Sequence, residues 1–149
     1  MVDIEKQVQP IVSELLLRDE AALLTELALR DRVIRDFPQL KDDLDPQFER
    51  PVEMGISDDA RLVWQKFVDR VNRDTYALVC TEEVKLAELR AFFKNAPERF
   101  AAALVGVLIA SGLVPAALAA VVAAIIAKLL LRNAQGALCE VWSERLPSK

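Results

Sequence analysis

Catalysis needs nucleophiles, bases or ligands held at working distance, and this chain offers few of them. It contains no histidine, which removes the commonest general base, the usual zinc ligand and every Ser–His or Cys–His dyad. Its two cysteines, Cys80 and Cys139, lie far apart and form no Cys-X-X-Cys pair, so they make no four-ligand zinc site by themselves. Four glycines, at positions 55, 106, 112 and 136, fit no phosphate-cradling loop. Paired carboxylates occur at Asp42–Asp43 and Asp58–Asp59. The first pair falls in a proline-rich loop. The second opens a helix, where acids complement the dipole. No catalytic residue, metal ligand, cofactor or small-molecule substrate is expected, and an enzyme is not the reading these residues favour.

Charge adds a second exclusion. The formal net charge is −4, with residues 1–60 carrying 15 acidic against 7 basic side chains. Residues 61–100 hold 8 basic against 6 acidic groups, too small an excess to track a phosphate backbone. Nucleic acid is not an expected partner. The first residues, "MVDIEKQVQP", lack a basic start followed by an apolar run, so export is not indicated. The two cysteines are then expected to be free thiols in a reducing cytoplasm.

The elements that would position any function are helical. Hydrophobic residues make up 53% of the chain and charged residues 28%, with alanine, leucine, glutamate, arginine and lysine prominent, all good helix formers. Val12, Leu16, Leu23, Leu27, Ile34 and Phe37 recur at helical spacing between Val8 and Phe37, with Pro10 placed in the first turn. Asp19 is a candidate cap, so the stretch is read either as one long helix or as two shorter ones divided there. Pro38, Pro46 and Pro51 break the chain next, giving an acidic loop over 38–56. Its Leu40, Leu44, Phe48, Val52 and Ile56 recur every four residues, as in a strap packed along a surface, with a simple linker as the alternative. Ser57 to Asp59 start another helix, whose buried stripe is read as Ala60, Trp64, Phe67, Val68 and Val71. Val84, Ala87, Leu89, Phe92 and Phe93 extend an apolar face to Asn95, the expected cap of the next helix, with Pro97 in its first turn.

An uncharged segment dominates the C-terminal half. Residues 101–127 comprise 11 alanines, 12 leucines, isoleucines or valines, and Gly106, Ser111, Gly112 and Pro115. Left in water, the 12 larger aliphatics would cost on the order of 18–36 kcal/mol, more than a whole domain's stability. They must be covered by protein or by lipid. A straight helix of this length would run about 40 Å, enough to cross a hydrocarbon core of about 30 Å. Ser111, Gly112 and Pro115 argue for a corner instead. Gly112 tolerates the left-handed conformation that closes a helix, and Pro115 opens a new one. The expectation is a helical hairpin over 98–131. Ala102, Gly106 and Ala110 on one arm, and Ala116, Ala120 and Ala124 on the other, form small-residue ridges suited to close packing. Beyond it, Leu130, Leu138, Val141 and Trp142 continue a helical stripe. Lys128, Arg132 and Trp142 are candidate anchors at a membrane interface, with a place in the protein core as the first reading of Trp142.

The expected architecture is all-α: an amphipathic helical body over 1–95 and, over 96–149, an Ala-rich hydrophobic hairpin with an amphipathic C-terminal helix. The expected function is non-enzymatic and membrane-active. In that reading the hairpin is sheltered in the resting fold or an oligomer and can enter a bilayer, as in a pore-forming or membrane-anchoring effector. The alternative is a soluble α-helical protein–protein interaction module with a very apolar central hairpin. Expected partners are a lipid bilayer or a protein that covers the hairpin, together with further copies of the chain. The expected location is the cytoplasm, with attachment to a membrane where the hairpin inserts.

Overall fold

A computed structural model describes residues 4–48, 58–81, 96–131 and 138–146. Among these residues six α-helices run in order: α1 (Ile4–Leu15), α2 (Glu20–Asp36), α3 (Asp58–Thr81), α4 (Pro97–Ala110), α5 (Ala116–Leu131) and α6 (Leu138–Arg145). One 3-10 turn, Pro38–Asp42, lies between α2 and α3, and the described residues contain no strand. The chain is an all-α helical bundle.

The first helical stretch is two helices. Asp19 has an extended backbone, and its Oδ1 accepts a hydrogen bond from the Ala22 N–H at 2.7 Å, satisfying a donor that the first turn leaves orphaned. Asp19→Ala should cost about 1 kcal/mol, visible as a lowered thermal midpoint with an unchanged helical spectrum. Pro10 is not in the first turn: α1 begins at Ile4, and the proline lies inside it. It is exposed, so its ring sits on the solvent side while Val8 and Val12 carry the buried stripe. Phe37 also departs from its expected place. The helix stops at Asp36, and Phe37, at φ −131° and ψ 77°, turns outward with 54% of its surface exposed.

On α3, Val68 and Val71 are buried, while Trp64 and Phe67 pack against the core half-buried and meet edge to face with centroids 5.6 Å apart. The expected continuation over 82–95, including Asn95, lies outside the described residues, as do Val52, Ile56 and the side chain of Ala60. The cap of α4 is Ala96, which offers no side-chain hydrogen bond, and Pro97 occupies the first turn. Leu40 and Leu44 are half-buried, and Leu44 packs against the core.

One hydrophobic cluster unites these elements, running from Val8 on α1 to Trp142 on α6. Its centre is α5. Every residue from Ala117 to Ala127 is buried, and α5 touches α1, α2, α3, α4, α6 and the 3-10 turn. A helix apolar on all faces belongs where protein meets it on all faces.

Candidate functional site

The corner of the hairpin is built from three short hydrogen bonds. Ser111 N–H donates to the Val107 carbonyl at 3.0 Å, Gly112 N–H to Ile109 at 3.1 Å and Leu113 N–H to Leu108 at 3.2 Å. The last two are the paired bonds of a Schellman ending, which needs its C′ residue in the left-handed region. Gly112 is that residue, with φ 74°. Ser111 Oγ adds a bond to the Leu108 carbonyl at 3.1 Å. Pro115 stands one residue before α5, its carbonyl accepting from Leu118 and Ala119 at 3.0 and 3.1 Å, rather than at the first helical position. The corner residues Ala110, Ser111 and Gly112 are exposed and uncharged.

Small residues divide unequally across the two arms. Ala102, Ala120 and Ala124 are buried, Gly106 and Ala116 are half-buried, and Ala110 is exposed. A Cβ built on Gly106 would meet nothing within 4 Å, so no backbone makes a close approach there. Gly106 and Ala110 therefore do not belong to a packed ridge. The closeness of α4 and α5 rests on the buried alanines and on Leu104, Leu108, Val121 and their neighbours. The two glycines should respond oppositely to alanine. Gly106→Ala, in open space inside a helix, should stabilise by about 0.5–1 kcal/mol. Gly112→Ala, forced into the left-handed region, should destabilise by about 1–2 kcal/mol. Chemical denaturation midpoints of the two variants check both signs.

The expected interface anchors have other tasks in this fold. Lys128 Nζ donates to the Leu16 carbonyl at the end of α1, at 3.1 Å, which ties the hairpin's second arm to the α1–α2 corner. Trp142 is fully buried, and its Nε1 donates to Asn72 Oδ1 at 2.7 Å. A side chain enclosed on all sides is core, not a belt residue. Arg132 lies outside the described residues.

Two features had no place in the expectations from sequence. The first is a buried ion cluster. Glu26 and Arg30 lie one helical turn apart on α2, with 3% and 2% of their surface exposed. Arg30 Nε donates to Glu26 Oε2 at 2.8 Å, one terminal nitrogen to the Ala117 carbonyl at 3.2 Å and the other to Asp45 Oδ1 at 3.1 Å. Arg18 approaches Glu26 at 3.6 Å and Glu14 at 3.4 Å. The cluster floors a cleft of about 400 Å³ bounded by Pro10, Ile11, Leu15 and Gln47. One guanidinium thereby joins α2, the loop after it and the first turn of α5. The second is a disulfide. Cys80 and Cys139 are bonded, with Cα atoms 5.7 Å apart, and no free cysteine remains. This corrects the expectation of two free thiols. The 59-residue separation hid the pairing in the sequence, and α3 and α6 supply it by packing side by side. Closing a loop of that length constrains the unfolded chain by about 4 kcal/mol in the entropic account.

No protein-family model, curated protein or solved structure matches this chain. Among the described residues no helix is long and apolar enough to cross a membrane. The arms of the hairpin have 14 and 16 residues, about 21 and 24 Å at 1.5 Å per residue, against about 30 Å of hydrocarbon. On the outer surface, an apolar groove of about 540 Å³ runs between the end of α2 and the 3-10 turn. Leu29, Val33, Phe37, Leu40 and Phe48 line it, with Arg32 and Asp36 among the polar lining.

Proposed function

We propose that this chain is a non-enzymatic helical interaction module whose hairpin is its structural core and whose outer groove receives a segment of a protein partner. The observation that carries the reading is the enclosure of α5. Its uncharged stretch from Ala117 to Ala127 is buried, and the helix already meets α1, α2, α3, α4 and α6 of the same chain, so neither lipid nor a second copy is needed to shelter it. The groove beside Phe37 then offers apolar surface outside the core, with a cation and an anion at hand to orient an amphipathic segment.

A second reading keeps the hairpin itself as the active element, entering a bilayer after a trigger. It is favoured by the corner, where Ala110, Ser111 and Gly112 are exposed without a charge, so that insertion tip-first would drag no ion into hydrocarbon. Light scattering in detergent-free buffer and flotation on anionic vesicles, followed by carbonate extraction and dye release, separate the two. The module predicts a monodisperse protein that stays below the vesicles and releases no dye. Carbonate-resistant flotation with leakage would overturn it in favour of insertion.

A further inference from the structure

We propose that the Cys80–Cys139 disulfide is a redox latch that holds α6 closed over α5, and that a dithiol reductant opens it. This goes beyond the interaction reading and depends only on how α6 is docked. The described residues of α6 are docked on α3 and α5, so the placement of this helix depends on what fastens it there. Three of its fastenings run to one face of α3. Cys139 is bonded to Cys80, the Trp142 ring meets Tyr76 edge to face at 5.9 Å, and Trp142 Nε1 reaches Asn72. Asn72, Tyr76 and Cys80 succeed one another at intervals of four, one row on a helix. The order reverses on α6, so the two helices run antiparallel. Leu138, Val141 and Trp142 are buried beneath this seam, where α6 also contacts α5. The disulfide is thus the covalent cross-link on an element that covers part of the hairpin.

Both cysteines are half-buried rather than sealed, and the latch requires an attacking thiolate to reach the bond through that exposed part. In the exchange, one thiolate of the dithiol attacks a disulfide sulfur and forms a mixed disulfide, releasing the other cysteine as a thiolate that takes up a proton. The dithiol's second thiol, losing its proton, displaces the remaining cysteine. Two electrons and two protons pass to Cys80 and Cys139, and the reductant leaves as its own cyclic disulfide. The reduced α6 then keeps only its side-chain contacts, and the surface of α5 beneath it becomes accessible.

The test uses the full chain carrying Trp64→Phe, which leaves Trp142 as the only tryptophan. Amide exchange and tryptophan emission are compared before and after dithiothreitol, and again after reoxidation. The latch predicts that exchange over 138–145 rises at least tenfold on reduction and that Trp142 emission shifts to the red. Protection in α4 and α5 away from the seam should persist, and reoxidation should reverse every change. The double variant Cys80→Ser with Cys139→Ser should reproduce the reduced state without any reductant. Three results would each overturn the proposal: unchanged exchange over 138–145, equal loss of protection in every helix, or two free thiols after treatment with oxidised glutathione.

Discussion

Val121→Asp is expected to leave no folded protein. Val121 is fully buried in the middle of α5, and the residues from Ala117 to Ala127 around it are alanine, leucine, valine and isoleucine, all buried. A carboxylate placed there meets no cation or donor on its own helix. Removing an ion from water costs several kcal/mol even after relaxation, and an unpaired neutral carboxyl still carries the penalty of an unmade hydrogen bond. Total stabilities of about 5–15 kcal/mol leave little after such a loss. Soluble yield and far-ultraviolet circular dichroism at 25 °C measure it. A Val121→Asp protein that is soluble, helical and cooperative would mean that α5 is not the centre of the bundle.

Glu26→Ala carries the second largest effect. Arg30 would keep its bond to the Ala117 carbonyl and its contact with Asp45, whose side chain is 43% exposed, but it would lose the one carboxylate buried beside it. Breaking a buried pair from one side costs about 3–5 kcal/mol, because the remaining charge is left in a low-dielectric site. At this chain length that corresponds to roughly 10–15 °C in thermal midpoint. Replacing both members with apolar residues of similar size, Glu26→Leu with Arg30→Met, should recover most of the loss. A double-mutant cycle read by thermal denaturation decides whether the cost belongs to the stranded charge. If the double variant is as unstable as the sum of the singles, the cluster acts through packing.

The hairpin was legible because its signals are local. An uncharged run, a Ser-Gly pair and a proline three residues later specify a corner within five positions, and Gly112 takes the left-handed conformation for which glycine is suited. Asp19 was legible as a cap for the same reason, since its partner is three residues away. What the sequence did not disclose depends on distant pairs. The Cys80–Cys139 bond and the Trp142–Asn72 hydrogen bond join α3 to α6 across many residues. Nothing in either segment's periodicity names the other. Nothing in the spacing of Glu26 and Arg30 marks them as internal, because it is the same whether the helix face is wet or buried. Only the approach of Ala117 from α5 and Asp45 from the loop after α2 makes the pair internal. Trp142 was open to two readings, since an amphipathic side chain near an apolar run suits a membrane rim and a protein core alike.

The slimness of α5 has a consequence for how this protein can vary. With Ala119, Ala120, Ala123, Ala124 and Ala127 all fully enclosed, the helix acts as a gauge that sets the spacing of its surrounding helices. A larger side chain on it must displace the atoms that enclose it, at about 1–3 kcal/mol for each misfit. Substitutions along this spindle are tolerated only when a facing residue shrinks in step, while the solvent sides of α2 and α3 can drift one position at a time. New binding properties would therefore arise most readily on the rim, with the axle left as it is.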